Sequence, residues 1–293
     1  MAQLLPPILV TGAMRSGKTT VARLISQNCD LTHWEEPNAL WRMGHAYRRH
    51  DLATEADARP WVIWRVRRAL VDYQRAHGNR RLVMCSPLVA MKLPMVLRIL
   101  PEARILHMVR DGRSAIQDML GLHTLESKYY HFADTGARKR MRAQLRLTPW
   151  HELPARIPGV LSGLTRRYFG RRPPRWIGIR YPGWRRDLDN LSPVQVAGKQ
   201  WAITVQTCIS GLTQVPCSRW VQVRIEDLNA EPLPWFAKIA HALDLPMSQA
   251  AIVGLADSVH RLPMAAKTLD RPVVEIDGAL PILQPVLHTL GYL

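Results

Sequence analysis

The strongest constraint on the fold is a glycine-bounded loop near the N-terminus. The β-rich run Ile8–Thr11 is followed by Gly12-Ala-Met-Arg-Ser-Gly-Lys-Thr19, which fits the pattern G-x-x-x-x-G-K-[ST] at every fixed position. Helical spacing then runs from Thr19 to Gln27. Glycines in such a loop let backbone N–H groups converge on phosphate oxygens, and the helix N-terminus and the lysine add positive charge. The sequence therefore predicts a phosphate-binding loop between a strand and a helix.

Strand and helix patterns alternate along most of the chain, which is typical of a parallel sheet covered on both faces. Further predicted strands are 31–34, 81–85, 104–109 and 220–225, and further predicted helices are 59–77, 89–100, 114–122, 197–212, 232–243 and 282–290. The alternation breaks at 123–196, a stretch rich in arginine, proline and tryptophan. We therefore predict one α/β domain, 1–293, with a P-loop-type parallel sheet flanked by helices and a basic, mostly helical or irregular insertion at 123–196.

The charge balance indicates an anionic partner. The formal net charge is +17, which suits a nucleic acid, an anionic membrane surface, or a phosphorylated or acidic substrate. The four cysteines are dispersed without a CxxC pair, so neither a disulfide framework nor a metal site is expected. Because there is no apolar run of about 18 residues and no signal-peptide pattern, we expect no transmembrane segment and a cytoplasmic protein with reduced thiols.

Two motifs together resemble those of one enzyme family. Arg15-Ser-Gly17 followed by Thr19-Thr20 resembles the R-S-G-T-[ST] loop with which Golgi-type and bacterial sulfotransferases hold a 5′-phosphosulfate. Lys18 stands where the family has its first threonine. The predicted strand 104–109 ends in Arg110-Asp-Gly-Arg113, which resembles the family's 3′-phosphate motif, in the form closest to tyrosylprotein sulfotransferases and their bacterial relatives. The resemblance implies a sulfotransferase that uses 3′-phosphoadenosine-5′-phosphosulfate.

The resemblance also implies how the donor would be held. This donor differs from ATP in its 3′-phosphate, and a fixed cation at the end of a second strand would select for it, which makes Arg110 the candidate. The family's phosphate-binding serine, eight residues after this arginine, is Asp118 here, and a carboxylate would repel a phosphate. Ser114, one turn earlier, is a candidate substitute. Lys267 lies where relatives fold a basic segment over the nucleotide. The alternative for Arg110 is an ion pair with Asp111.

The candidate general base is Glu36. It lies 21 residues after Arg15, which resembles the position of the catalytic glutamate in tyrosylprotein and some bacterial sulfotransferases, and it is followed by Pro37, as in the bacterial form. The alternatives are that Glu36 is an exposed loop carboxylate without a catalytic role, or that a histidine such as His33 or His107 acts instead, although His107 falls inside a predicted strand. In this scheme Arg15 and Lys18 stabilise the transferring sulfuryl group. The 5′-phosphate would be held by the loop amides and by Ser16, Gly17, Thr19 and Thr20, and no metal is required.

The insertion at 123–196 interleaves arginines with aromatic residues, which suits stacking on sugars or bases or contact with an anionic surface. Our hypothesis is that it forms the acceptor pocket; the alternative is a solvated basic cover over the core. The acceptor class stays open among small molecules, glycans, lipids and peptides, including anionic ones. Peripheral membrane contact also stays open, and no nucleic acid is expected. Trp201 is predicted to be a core residue of the helix at 197–212.

Two other functions compete with this interpretation. The full match to the nucleoside-triphosphate loop, including Lys18, favours a kinase or NTPase, which needs a strand ending in a magnesium-binding aspartate. Cys85-Ser86 ends one predicted strand instead, and Asp111 follows an arginine that is a poor neighbour for a magnesium ligand. A nucleic-acid-binding protein without catalysis is compatible with the charge, although no recognisable binding motif is present.

Overall fold

The computed structural model describes residues 3–129, 142, 145–157, 178–260 and 275–293. Within these residues five parallel strands form one sheet, in the order β2-β3-β1-β4-β5. The strands are β1 (Ile8–Thr11), β2 (Leu31–Glu35), β3 (Arg81–Cys85), β4 (Arg104–Val109) and β5 (Trp220–Arg224). Because all five run parallel, their carboxyl ends meet at one edge, where ligands bind in open α/β sheets. The predicted α/β fold with a parallel sheet is confirmed.

The helices connect successive strands and cover the sheet. In the described part of the chain they are α1 (Lys18–Asn28), α2 (Asn38–Trp41), α3 (Pro60–Ala76), α4 (Leu88–Met91), α5 (Leu93–Ile99), α6 (Gly112–Tyr129), α7 (Trp184–Asn190), α8 (Pro193–Leu212), α9 (Ile225–Ala230), α10 (Pro232–Leu243), α11 (Gln249–His260) and α12 (Leu280–Thr289). Short 3₁₀ turns occupy Glu55–Asp57, Trp150–Arg156, Cys217–Arg219 and Asp277–Ala279.

Both faces of the sheet are apolar, which is why its strands read as continuous hydrophobic runs. Successive side chains of a strand point to opposite faces, so Ile8 and Val10 pack with α1, α10 and α11. Leu9, between them, packs on the other face with α3, α4 and α5. A third cluster joins α6, α8 and α12, and Trp201 lies in it with only 1% of its surface exposed. The prediction that Trp201 is a core residue is confirmed.

A buried cluster of charged side chains connects the segment after β2 to the helices that follow β3. Lys92, at the break between α4 and α5, is fully buried, and its Nζ lies 2.7 Å from Nδ1 of His45. His45 Nε2 lies 3.4 Å from Asp57, which also pairs with Arg48. Burial, helped by neighbouring Lys92, lowers the pKa of His45 to about 4, so its neutral ring accepts the hydrogen bond from the lysine.

This cluster predicts a pH dependence of stability. Burial, with smaller contributions from Arg42 and Arg48, lowers the pKa of Lys92 from 10.5 to about 7. Between these values the unfolded chain binds a proton that the folded chain has lost, so Lys92 makes the free energy of unfolding rise with pH in that window. Below it, Lys92 is charged in both states and contributes no slope. Lys92→Met should therefore flatten the rise by up to about 1.4 kcal/mol per pH unit.

Denaturant unfolding at several pH values between about 7 and 9 measures this slope. Lys238→Met is the control, because its side chain is exposed on α10. The explanation fails if the Lys92 and Lys238 variants give the same pH slope as the unsubstituted protein.

Candidate active site

The loop between β1 and α1 requires its two fixed glycines. Gly12 has φ +145°, and a Cβ there would lie 2.1 Å from the carbonyl oxygen of Met108 on β4. Gly17 has φ +80°, and a Cβ there would lie 2.9 Å from the side chain of Ile225, at the start of α9. The loop is therefore packed tightly between β4 and α9. Its backbone turns into the N-terminus of α1, as an anion-binding loop requires.

Lys18 extends back into this loop. Its side chain is buried, and Nζ donates a hydrogen bond of 2.9 Å to the carbonyl oxygen of Ala13. Burial lowers the pKa of Lys18, and the nearby groups of Cys85 and Glu36 oppose that shift. An anion bound in the loop would likewise favour the charged amine.

Several polar groups of the loop fit a bound phosphate. The hydroxyl of Ser16 is buried and has no hydrogen-bond partner among the described residues. A buried polar group is normally satisfied, so this hydroxyl is suited to a ligand oxygen. Thr19 Oγ1 lies 3.4 Å from Cys85 Sγ, and Thr20 is half-buried on the first turn of α1. These residues have the positions that the sequence predicted for them, and their roles stay predictions.

Arg110 lies directly beside the loop. It follows β4, the neighbour of β1, and its Nη1 donates hydrogen bonds to the carbonyl oxygen of Arg15 at 3.1 Å and to Asp118 Oδ2 at 2.6 Å. The alternative pairing with Asp111 is wrong, because Arg113 holds that carboxylate through three side-chain hydrogen bonds of 2.7–3.0 Å. Asp111 also accepts from the backbone N–H of Arg113 and so caps α6. Two cations from neighbouring strand ends therefore share one region.

Glu36 lies at the same edge of the sheet, two strands away from β1. Its backbone N–H bonds to the carbonyl oxygen of Cys85, and its φ of +45° turns the chain away from β2. The side chain is exposed, 3.5 Å from the amide of Asn38 and close enough to Lys18 to affect its pKa. Neighbouring Glu35 instead pairs with Arg23 of α1 at 3.5 Å.

Two further carboxylates, Asp118 and Glu226, make contacts around the turn after β4 that the sequence does not predict. Asp118 was identified as a departure from the family, but its pairing with Arg110 depends on the helical turn of α6. Glu226, on the first turn of α9, accepts the backbone N–H of Asp111 at 3.0 Å and the hydroxyl of Tyr292 at 2.7 Å. It therefore anchors the turn after β4 to the end of the chain. Ser114 is half-buried on the first turn of α6.

Some predicted features lie outside the described residues. Lys267 is one of them, and so are most of the arginines and aromatic residues of the insertion at 123–196. In the part of the chain that the structure describes, no group of three or more histidine, cysteine, aspartate or glutamate side chains is arranged to hold a metal ion. None of the helices described there is long and apolar enough to cross a membrane.

The sheet is parallel, its central strand β1 is followed by the glycine loop, and Arg110 lies beside that loop. These features define an α/β protein of the P-loop type. The family model described as "Sulfotransferase family" matches residues 6–158, which is more than half of the chain. The protein belongs to the sulfotransferase family, and this membership implies a transferase enzyme. A search of curated protein sequences gave no match.

Solved sulfotransferase structures have the same fold at low sequence identity. Sulfotransferase STF9 from Mycobacterium avium superimposes with a TM-score of 0.53 at 11% identity, covering 98% of this chain and 77% of its own. Sulfotransferase STF1 from Mycobacterium tuberculosis H37Rv gives 0.52 at 13%, covering 97% and 77%. The sulfotransferase domain from the curacin biosynthetic pathway gives 0.50 at 16%, covering 99% of both chains.

Proposed function

We propose that this protein transfers the sulfuryl group of 3′-phosphoadenosine-5′-phosphosulfate to a hydroxyl or amine acceptor. The observation that carries the proposal is the contact between Arg110 and the backbone of Arg15, 3.1 Å apart. It joins a cation at the end of β4 to the glycine loop after β1. One adenosine nucleotide with phosphates on its 5′ and 3′ positions can contact both.

The residues of the site divide the work as follows. Loop amides, Ser16, Thr19 and Thr20 would hold the 5′-phosphate, with Gly17 allowing its close approach, and Arg110 would hold the 3′-phosphate. Glu36 would take the acceptor proton while the acceptor oxygen or nitrogen bonds to sulfur and the bond from sulfur to the bridging phosphate oxygen breaks. The electron pair of that bond leaves with 3′,5′-bisphosphoadenosine, and Lys18 and Arg15 stabilise its charge. Ser114 and Lys267 are further candidates for donor contact.

A turnover assay tests this function. The protein is incubated with the phosphosulfate donor and pooled hydroxyl and amine compounds, and mass spectrometry follows the bisphosphate product and acceptors that have gained SO₃. The proposal predicts both products. It fails if the donor is unchanged while ATP with Mg²⁺ is converted to ADP, which is the result expected of the alternative P-loop kinase.

We further propose that the insertion at 123–196 contributes to the acceptor pocket. A cavity of about 700 Å³ lies between α3 and the insertion. Its wall includes Trp34, which stacks on Tyr73 with a centroid separation of 3.8 Å, and Arg146 of the insertion. Trp34 is two residues before Glu36 in the sequence, so one residue of the cavity wall and the proposed base come from the same strand end. An aromatic wall with arginines at its rim suits an apolar acceptor that carries an acidic group.

Arg146→Ala tests this pocket. We expect the KM for an acidic acceptor to rise about tenfold, because a charge-assisted contact is lost, while the donor Kd stays within twofold. Arg142→Ala is the matched control, since Arg142 is also an exposed arginine of the insertion but does not line the cavity. If the two variants have equal KM values for the acceptor, the insertion does not form the acceptor pocket and is only a solvated basic cover over the core.

The cellular compartment is also part of the proposal. All four cysteines are free thiols, and those of Cys85 and Cys208 are buried. Free thiols suit a reducing compartment, so we propose that the protein acts in the cytoplasm.

A further inference from the structure

Asp118 lies between the two arginines of the candidate donor site. Its Oδ2 accepts a hydrogen bond of 2.6 Å from Arg110 Nη1 and lies 3.9 Å from Arg15 Nη2. Only 8% of the carboxylate side chain is exposed, against 22% of the Arg110 side chain. The carboxylate is therefore held inside the site, where solvent screens it weakly.

The helix α6 determines this placement. Asp111 caps the helix at the end of β4, and Asp118 is seven residues further along, which is close to two full turns. The two side chains therefore point to the same side of the helix, but each pairs with a different arginine. Arg113 holds the Asp111 carboxylate, while Asp118 reaches back to Arg110 and towards the loop.

The hydrogen bond between Arg110 and Asp118 has two opposite effects on the binding of a phosphate: it orients the arginine, and it places a negative charge beside it. It orients Arg110, whose Nη1 bonds to Asp118 and to the loop carbonyl of Arg15 at once. It also puts a negative charge next to the cation that a 3′-phosphate has to reach. A phosphate monoester carries a charge of about −1.5 to −2 at pH 7, so it is repelled by a carboxylate that it cannot displace. A ligand with a free 3′-hydroxyl has no such conflict.

We propose that Asp118 limits the preference of this site for a 3′-phosphate by acting as an internal anion that weakens its binding to Arg110. This inference rests on the proposed function, because it assumes that the adenosine donor bridges the glycine loop and Arg110. The residue makes the preference for 3′,5′-bisphosphoadenosine over 5′-AMP smaller than Arg110 alone would give, without reversing it. It also keeps Arg110 positioned over the loop while no nucleotide is bound.

Asp118→Asn is the decisive variant. Its amide oxygen can still accept the hydrogen bond from Arg110, but the negative charge is gone. We expect the Kd for 3′,5′-bisphosphoadenosine, measured by isothermal titration calorimetry, to fall about tenfold, while the Kd for 5′-AMP stays within twofold. Asp111→Asn is the matched control, because it also removes one negative charge next to Arg110. The carboxylate that it removes is paired with Arg113 and not with Arg110. Asparagine is also a good helix N-cap, so α6 should be unaffected.

The outcomes separate the inference from the proposed function. A gain for the bisphosphate in Asp118→Asn and no gain in Asp111→Asn supports the inference. No gain, or an equal gain in both variants, overturns it. If ATP with Mg²⁺ binds the unsubstituted protein more tightly than the bisphosphate does, the proposed donor is wrong, yet the same ratio of Kd values still decides the role of Asp118. Asp118→Ser repeats the comparison if the asparagine variant does not fold, and failure of both to fold makes Asp118 a structural residue and overturns the inference.

Discussion

Glu36→Gln is expected to lower the turnover number by about 10²–10⁴-fold, the usual contribution of a positioned general base. Glutamine has nearly the same shape but cannot take the acceptor proton. Because Glu36 is exposed at the rim of the site and not part of the glycine loop, the Kd for 3′,5′-bisphosphoadenosine should change less than twofold. Steady-state turnover and calorimetric Kd values measure the two effects separately.

Glu35→Gln is the matched control for this experiment. Glu35 is the adjacent carboxylate, but its side chain pairs with Arg23 of α1. Exposed pairs of this kind contribute little, so turnover should stay within about twofold. If Glu36→Gln retains full turnover, Glu36 is not the base and is only an exposed loop carboxylate.

Arg110→Ala is expected to raise the Kd for 3′,5′-bisphosphoadenosine by about a hundredfold and the Kd for 5′-AMP by less than threefold. The substitution removes the cation proposed for the 3′-phosphate and also removes the 2.6 Å ion pair of the buried Asp118. The estimated loss of affinity refers to the pair between Arg110 and the 3′-phosphate. Removing one partner of a hydrogen-bonded charge pair across a binding interface typically costs about 2–5 kcal/mol.

Arg113→Ala is the control, because Arg113 belongs to the same R-D-G-R turn but is held by Asp111. It should change the two Kd values by similar, small factors. Thermal melting of each variant checks that it is folded. An equal loss of bisphosphate and 5′-AMP binding in Arg110→Ala would contradict the assignment of Arg110.

The framework of the fold follows from local sequence patterns. The predicted strands 8–11, 81–85 and 104–109 and the helix 232–243 match the structure residue for residue. Buried parallel strands are continuous apolar runs bounded by turn residues, and both signals are local. The glycine loop was also predictable from a local pattern. Its backbone conformation depends on glycines at two fixed positions of a short segment.

Other features depend on contacts that no local pattern reveals. The predicted helix 89–100 is two helices, α4 and α5, interrupted at Lys92 just before Pro94, which cannot donate a backbone hydrogen bond. Lys92 itself is buried, against its usual preference, because His45 and nearby acidic groups come from a different part of the chain. The partner of Arg110 is likewise Asp118 and not its neighbour Asp111, since the turn of α6 decides which carboxylate it meets.

The central claim is that one site binds both phosphates of a single adenosine donor. A thermal shift experiment on the unsubstituted protein tests it directly, because a ligand that binds only the folded state raises the Tm by mass action. At equal concentrations, 3′,5′-bisphosphoadenosine should raise the Tm more than 5′-AMP or ATP with Mg²⁺. The largest shift with ATP and Mg²⁺, or equal shifts with the bisphosphate and 5′-AMP, would contradict the claim.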